Sequence, residues 1–272
     1  MVASAQRAAA REGDNQLVVE GVSKRFGGVT AVQDVSLEVP RGSIVSIIGP
    51  NGAGKTSLLN MISGFYKPDT GRVILEGEDI TQKKPSDVAA LGVARTFQNI
   101  ALFSGLTVLD NLMLGRHVRM KAGVLSSVIY WGMAQKEDIA HREAVEEIIE
   151  FLKLQDLRKQ PTSALAYGLR KRVELGRALA SEPKVLLLDE PMGGMNQDEK
   201  EDMARYVLDV NQERGVTVVL IEHDMGVVMD ISDKVVVLDR GRGIAVGTPE
   251  EVQRNPKVVE AYLGTSKSGG KA

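Results

Sequence analysis

The segment GPNGAGKT, residues Gly49 to Thr56, has glycines, a lysine and a threonine at the spacing G-x-x-x-x-G-K-[ST]. It follows the apolar run IVSII and precedes the helix-forming SLLNMI, which is the context that this motif requires. Its glycines let successive N–H groups turn inward, and the N-terminus of the next helix adds positive potential, so the segment predicts a cradle for phosphate groups. Lys55 is expected to reach the β- and γ-phosphates of a nucleoside triphosphate, and the Thr56 hydroxyl to bind Mg²⁺. The alternative is a glycine-rich turn with no ligand. The residues expected to hold the phosphates are Gly49, Pro50, Asn51, Gly52, Ala53, Gly54, Lys55, Thr56 and Ser57.

Two adjacent acids end a second apolar run, VLLLDE. Asp189 is placed to hold a magnesium shell, and Glu190 to orient or deprotonate an attacking water. Adjacent residues of a strand point to opposite faces, but at the end of a strand the chain is free to turn both acids toward a ligand. An acid pair at a helix N-terminus is the alternative for this segment alone. The phosphate motif upstream favours the catalytic interpretation.

These motifs need a sheet to position them. Three short, branched-rich apolar runs, Ile44 to Gly49, Lys184 to Glu190 and Val216 to Asp224, are typical of strands buried on both faces of a parallel sheet. The N-terminal runs LVVEGVSKRF and VTAVQDVSLEV predict a small antiparallel layer, and KVVVLDRGRGIAVG predicts a hairpin around Gly241 and Gly243.

Helical periodicity predicts two long helices, Lys136 to Leu154 and Asp198 to Arg214. In each, apolar residues recur every three or four positions on one face. They are Ala144, Ile148 and Leu152 in the first helix and Met203, Tyr206, Val207 and Val210 in the second. Asn196 and Glu199 have the spacing of an N-cap with its capping box.

Composition narrows the class of protein. With 272 residues, 43% of them hydrophobic, the chain is expected to fold around one large core or two small ones. A formal net charge of -2 gives no broad basic field, so we expect no nucleic-acid partner. The sequence has no cysteine for a disulfide, thiolate site or nucleophile, and its three scattered histidines argue against structural zinc.

No membrane span is expected. The most apolar uncharged run, Gly123 to Ala134, is about half of the ~20 residues that a spanning helix needs. Residues 1–15 are interpreted as a flexible leader without an apolar targeting core, and residues 265–272 as a flexible tail. The chain is therefore expected in the cytoplasm.

Together, five ordered segments resemble the ATP-binding cassette (ABC) ATPases over nearly all of Leu17 to Gly264. They are GPNGAGKT, the glutamine of TFQN, LAYGL, LLLDEP and the histidine of IEHD. The resemblance implies an α/β P-loop NTPase fold of the ABC ATPase type: a mostly parallel core sheet, an antiparallel β subdomain and a helical subdomain. It implies one ATPase domain over residues 16–264, with the helical subdomain inserted at about residues 99–165.

The resemblance also implies individual roles. Phe26 would stack on adenine, Gln98 would contact magnesium and the attacking water, and His223 would contact the γ-phosphate. Glu190, Gln98 and His223 would then be catalytic, and Thr56, Gln98 and Asp189 would form the metal site. A core role for Phe26 and a structural role for His223 are the alternatives. The signature turn, Ala166, Tyr167 and Gly168, would bind ATP held by the partner's phosphate loop.

The signature turn departs from the family's usual LSGGQ, because Ala166, Tyr167 and Leu169 replace Ser, Gly and Gln. The likeness is closest to cassettes of branched-chain amino acid importers, whose signature commonly reads LAYGQ and whose C-termini resemble GTPEEVQRNPKVVEAYLG. Only Leu169 is then unusual. One lost hydrogen bond to a charged group, about 1.5 to 3 kcal/mol, predicts weakened closure or an adjustment to the partner, with activity retained. Asn196 stands where many cassettes have Asp, and Gln197 where this subgroup often has Pro.

The basic run Arg170, Lys171 and Arg172 has two interpretations. Such a run is ordinarily a solvated helix face. Near a helix start, however, cations oppose the helix dipole, so a role facing phosphate or a partner protein is the second interpretation.

From the resemblance we expect the ATP- and Mg²⁺-using ATPase subunit of a membrane importer, peripheral on the inner face of the cell membrane. Its partners would be transmembrane permease subunits, a second ATPase subunit, either identical or paralogous, and indirectly a solute-binding protein. A non-transport cassette acting on ribosomes or DNA is one alternative, but the chain has neither a duplicated cassette nor a long coiled coil. An ATP-sensing interaction subunit is another, and the presence of both Glu190 and His223 argues against it.

Overall fold

The computed structural model describes residues 14–96, 98, 100–119 and 133–265. The expectations for most of the leader, for the tail from residue 266 and for the apolar run up to residue 132 lie outside the described residues. The strands are β1 (Asn15–Phe26), β2 (Val29–Pro40), β3 (Ile44–Ile48), β4 (Thr70–Leu75), β5 (Glu78–Asp79), β6 (Val93–Arg95), β7 (Val185–Asp189), β8 (Thr217–Ile221), β9 (Lys234–Asp239) and β10 (Arg242–Gly247). The helices are α1 (Lys55–Ile62), α2 (Pro85–Ala90), α3 (Val108–Gly115), α4 (Met133–Phe151), α5 (Tyr167–Leu179), α6 (Gln197–Arg214), α7 (Met225–Ile231), α8 (Pro249–Gln253) and α9 (Pro256–Thr265). Short 3₁₀ turns cover Arg116–Arg119, Gln155–Leu157 and Thr162–Ala164.

The core sheet has the strand order β10-β9-β3-β8-β7-β6. The pairs β3/β8, β3/β9, β7/β8 and β6/β7 are parallel, and every residue of β3, β7 and β8 is buried. The predicted buried parallel strands are therefore confirmed. Because the carboxyl ends of parallel strands share one edge, the segments that follow β3, β7 and β8 meet there.

A second, antiparallel sheet has the order β2-β1-β4-β5 and confirms the predicted N-terminal layer. One hydrophobic cluster joins it to the core sheet. In that cluster, Val19 of β1, Leu58 of α1 and Ile47 of β3 are all fully buried. Helix α1 is thus held between the two sheets, with its N-terminus at the edge described above.

The opposite face of the core sheet is covered by helices. Ile148 of α4, Val173 of α5 and Val207 of α6 share one cluster with Leu186 and Leu188 of β7. The two helices predicted from periodicity are confirmed, with α4 starting and ending three residues earlier than expected, so that Leu152 lies just beyond it. None of the helices within the described ranges has both the length and the apolar character needed to cross a membrane.

The C-terminal segment closes the other end of the core sheet. The predicted hairpin is confirmed, since β9 and β10 are antiparallel. Its turn is formed by Arg240 and Gly241, both with positive φ, whereas Gly243 lies within β10 and not in the turn. Helices α8 and α9 then pack Val252 and Val258 against Ile48, the last residue of β3. The end of β3 is therefore supported directly by the C-terminal helices.

Candidate active site

The predicted phosphate loop joins β3 to α1, and close backbone contacts require glycine at Gly49 and Gly54. A Cβ atom on Gly49 would lie 2.0 Å from the Leu238 carbonyl oxygen, and one on Gly54 would lie 2.4 Å from the Ala31 carbonyl oxygen. Gly54 also has φ 98°, which a residue with a Cβ adopts only with strain. The loop is thus wedged between β9 and β2.

Lys55 points back into this loop. Its Nζ donates hydrogen bonds to the carbonyl oxygens of Gly49 (2.7 Å) and Pro50 (3.1 Å), and the residue is only 8% exposed. Burial lowers the pKa of Lys55, and the nearby Glu190 and Asp189 carboxylates oppose that change. The loop therefore holds one cation close to both acids.

The start of α1 is suited to an anion. Gly54 supplies no side-chain cap, and the first turn contains no acidic residue. Thr56 is exposed and Ser57 is half-buried in this turn. Because the first N–H groups of a helix lack partners within the helix, these features fit a phosphate group bound at the loop.

Asp189 and Glu190 lie together at the carboxyl edge of β7, as expected. Asp189 ends the strand, and Glu190 has φ 50°, a left-handed conformation that is uncommon for a residue with a side chain. The Glu190 N–H donates to the Ile221 carbonyl of β8 (2.9 Å), which fixes this turn. The turn explains how two neighbouring acids both act on Lys55.

Asp189 is held by a buried arginine that we did not identify from the sequence. Arg95 Nη2 lies 2.9 Å from Asp189 Oδ2, with the two side chains 7% and 2% exposed. Arg95 Nη1 also donates to Asn60 Oδ1 (2.6 Å) and Ser63 Oγ (3.2 Å) of the α1 region. Burial raises the pKa of Asp189, and Arg95 opposes the rise. Asp189 Oδ1 is buried without a hydrogen-bond partner among the described residues, so an acceptor remains that fits a hydrated magnesium ion.

Gln98 lies beside the second acid. Its Nε2 donates to Glu190 Oε2 at 3.0 Å, and its side chain is exposed. Of the predicted site residues, the described contacts therefore bring Gln98, Glu190, Asp189 and Lys55 into one group.

His223 follows β8 at the same edge, with its side chain 61% exposed. Its Nδ1 lies 3.7 Å from Oε2 of Glu222, a buried acid that the sequence analysis did not single out. Glu222 accepts hydrogen bonds from the backbone N–H groups of Met192 (2.8 Å) and His223 (3.1 Å), and burial raises its pKa. Glu222 thus ties the segment after β7 to the segment after β8. The acid-histidine pair in IEHD was the only sequence signal for it.

Phe26 is 42% exposed, which excludes the alternative that it is a core residue. Its ring meets Tyr66 edge to face, with centroids 5.0 Å apart, and Lys24 Nζ lies 5.8 Å from the Phe26 centroid. Tyr66, in the loop after α1, was also missed by sequence reasoning. An exposed ring held in this way offers a surface on which a nucleobase can stack.

The signature turn lies at the N-terminus of α5 and does not share the contacts that join Lys55, Asp189 and Glu190. Ala166 is the N-cap and makes no side-chain hydrogen bond, and Tyr167 is 39% exposed. Gly168 is packed on α6, because a Cβ there would lie 2.4 Å from Glu199 Oε1. Leu169 is half-buried against the helical cluster, so it has a packing role in this chain.

Comparison with known proteins identifies the family. The ABC transporter family matches residues 32–193, and the branched-chain amino acid ATP-binding cassette transporter family matches residues 244–267. The chain is 40% identical over 248 residues to the high-affinity branched-chain amino acid transport ATP-binding protein BraF of Pseudomonas aeruginosa, covering 91% of this chain and 97% of that protein. It is 38% identical to LivG of Escherichia coli K12, described in the same words, with the same coverage.

Solved structures agree. An ADP-bound cassette from an ABC transporter superposes with a TM-score of 0.80 at 37% identity, covering 92% of this chain and 99% of that one. A nucleotide-free cassette gives 0.79 at 37% identity, with coverages of 91% and 98%. The expected fold class is confirmed. The chain belongs to the ABC transporter family, as one of the ATP-binding subunits that hydrolyse ATP to drive transport.

Proposed function

We propose that this subunit powers the import of branched-chain amino acids or related small polar solutes. The support for the solute class is twofold: relatives that cover nearly the whole chain carry that description, and the C-terminal residues 244–267 match the corresponding family. Residues of this C-terminal match contribute Val252 and Val258 to the support of β3.

The observation that carries the ATPase mechanism is the Gln98–Glu190 contact beside the phosphate loop. Glu190 is placed to accept a proton from an attacking water, and the Gln98 amide orients that carboxylate. Lys55 and the N–H groups of the loop hold the phosphates and place the terminal one in reach of the water. His223, exposed at the same edge, contacts the terminal phosphate.

A bound magnesium ion would supply positive charge to offset the negative charge of the phosphates. Asp189 would hold it through the oxygen that Arg95 leaves unpaired, together with Thr56 and Gln98. Phe26 stacks on the adenine, and Tyr66 fixes the orientation of the Phe26 ring.

The same proposal assigns partners. The signature turn has an uncapped helix N-terminus and an exposed Tyr167, so it suits the triphosphate held by a second cassette. Transmembrane permease subunits would place this chain on the inner face of the cell membrane, with a solute-binding protein acting on the far side.

Reconstitution tests the proposal. The chain is co-purified with tagged permease subunits, sealed into liposomes with ATP and Mg²⁺ on its own side, and offered labelled leucine, urea or phenylalanine with the binding protein. We expect leucine uptake that stops when ATP is omitted. ATP-dependent uptake of urea in place of leucine would assign the chain to the related small polar solutes, and uptake of phenylalanine alone would overturn the solute class. Failure of the chain to join any permease would overturn the transport role.

A further inference from the structure

The middle residue of the basic run is buried, unlike a residue of a solvated face. Lys171 is only 3% exposed, and its Nζ donates to the main-chain carbonyl oxygen of Gln98 at 2.9 Å. Its neighbour Arg172 turns the other way, 3.7 Å from Asp202 and with its guanidinium 5.0 Å from the Tyr206 ring centroid. The run is therefore divided between the active-site side of α5 and the α6 side.

Burying an ammonium group is costly unless it is paired or hydrogen-bonded. Lys171 reaches a carbonyl rather than an acid, and its charge also acts on Asp189. The cation is thus aimed at the segment that carries Gln98, at the place where that segment passes the carboxyl edge of β7.

A second cation of the same helix holds the same segment. Arg177 Nη1 donates to the carbonyl oxygen of Ala101 at 2.5 Å. Helix α5 therefore donates hydrogen bonds to the main chain at residue 98 and again at residue 101. These two contacts from α5 therefore determine where the Gln98 amide lies relative to Glu190.

We propose that Lys171 is a positioning residue: it fixes the main chain at Gln98 so that the Gln98 amide meets Glu190 at 3.0 Å. The inference rests on the roles proposed above for Gln98 and Glu190. Because Lys171 follows the signature turn on one rigid helix, any partner that moves that turn also moves Gln98. Lys171 then links the signature turn, at the start of α5, to the main chain at Gln98.

The test compares Lys171→Met, Lys171→Arg and Arg172→Met. In Lys171→Met we expect backbone amides of residues 96–101 to exchange hydrogen about tenfold to a hundredfold faster, the factor that one hydrogen bond from a charged donor contributes. The kcat for ATP should fall by about tenfold while the ATP KM and nucleotide Kd stay within about twofold, because the phosphate loop is untouched. Lys171→Arg keeps a long cationic donor and should restore both readouts.

Arg172→Met is the matched control, since it removes a charge from the next position, and the described contacts of Arg172 are with Asp202 and Tyr206. It should leave the exchange of residues 96–101 unchanged. Parent-like exchange in Lys171→Met, or equal acceleration in Arg172→Met, would overturn the proposal. If Lys171→Met does not fold, Lys171→Gln, with a shorter uncharged head group, replaces it with the same expectations. Hydrogen exchange does not require ATP hydrolysis, so it tests the Lys171 contact even if the parent protein is inactive. An inactive parent would overturn only the proposed ATPase mechanism.

Discussion

At the scale of single residues, the left-handed backbone of Glu190 places its carboxylate at the carboxyl edge of the core sheet. Residues in this conformation persist only where the surrounding structure fixes them, at a cost of about 1–3 kcal/mol. Here the Ile221 carbonyl of β8 accepts the Glu190 N–H, and the carboxylate accepts from Gln98. These two hydrogen bonds hold the Glu190 carboxylate beside Lys55.

Replacing that acid with its amide tests its role. Glu190→Gln should bind ATP within a few-fold of the parent but hydrolyse it at least about a hundredfold more slowly, because an amide cannot take a proton from water. Phosphate release and fluorescent-nucleotide binding measure the two effects. Glu182→Gln is the matched control, since Glu182 is also a left-handed glutamate but pairs with Arg116, away from the phosphate loop. Hydrolysis at the parent rate in Glu190→Gln would remove the base assignment.

The Arg95–Asp189 pair is a stability element as well as part of the site. Arg95→Met strands a buried carboxylate and should lower the free energy of unfolding by about 3 kcal/mol. The double variant Arg95→Met/Asp189→Asn, which leaves no stranded charge, should be less destabilised than Arg95→Met alone. Urea denaturation of the two single variants, the double variant and the parent gives the coupling. Strictly additive effects would show that the two groups do not interact.

At the scale of elements, the start of α6 explains one departure noted in the sequence. Asn196 Oδ1 accepts from the Glu199 N–H (2.9 Å), and Glu199 Oε2 accepts from the Asn196 N–H (3.1 Å), so the predicted capping box is confirmed. Asn and Asp are about equally good N-caps. The substitution of Asn for the family's usual Asp therefore leaves the helix start intact.

We expect Asn196→Ala to lower the free energy of unfolding by about 1 kcal/mol, because it removes the cap. Asn196→Asp should match the parent or exceed it slightly, since a negative charge interacts well with the helix N-terminus. Denaturant melts measure both. Gln197→Ala, one residue into the helix, is the control and should change little; a loss as large as that of Asn196→Ala would show that the box is not the cause.

The elements that carry the phosphate loop and the two acids could be predicted from the sequence, but strands β4 to β6 and several contacts of the site were not. Ile44 to Gly49 and the Asn196/Glu199 spacing are local patterns, and each predicts its own structure. Arg95 contacts Asp189, 94 positions away in the sequence, and Lys171 contacts Gln98, 73 positions away. These residues meet only in the folded chain, where β6 pairs with β7 and α5 lies at the same edge of the sheet. No local pattern distinguishes a buried cation of this kind from a solvated one.

At the scale of the whole molecule, the Glu76 carboxylate is one of the groups that connect the antiparallel sheet to the core sheet. Glu76, after β4, accepts hydrogen bonds from Arg41 (2.8 Å) and from Lys184, which lies just before β7. These two cations lower the pKa of Glu76 from 4.5 to about 2. The side chain is 29% exposed, so screening reduces the benefit of ionisation to about 1 kcal/mol.

The sign of the pH dependence follows from the lowered pKa. The contribution of Glu76 is fully present above pH 4.5, its unfolded value, and is lost as the pH falls toward about 2. Glu76→Gln should therefore be about 1 kcal/mol less stable than the parent at pH 7, and the difference should shrink between pH 4.5 and 2. Urea denaturation at pH 7, 4.5 and 3 measures it. A constant difference across that range would mean that the charge of Glu76 contributes nothing.

The β9–β10 turn also has a practical consequence for anyone who tags this chain. A hairpin tip such as Arg240–Gly241 is ordinarily a permissive place for an epitope insertion or new chain ends. In this chain the Gly241 N–H donates to the Ala53 carbonyl of the phosphate loop (3.0 Å), and its own carbonyl accepts from Gln33 of β2 (2.7 Å). An insertion at the tip would therefore break the hydrogen bonds that join this turn to the phosphate loop and to β2. It would weaken nucleotide binding even though the insertion is far from the phosphate loop in the sequence.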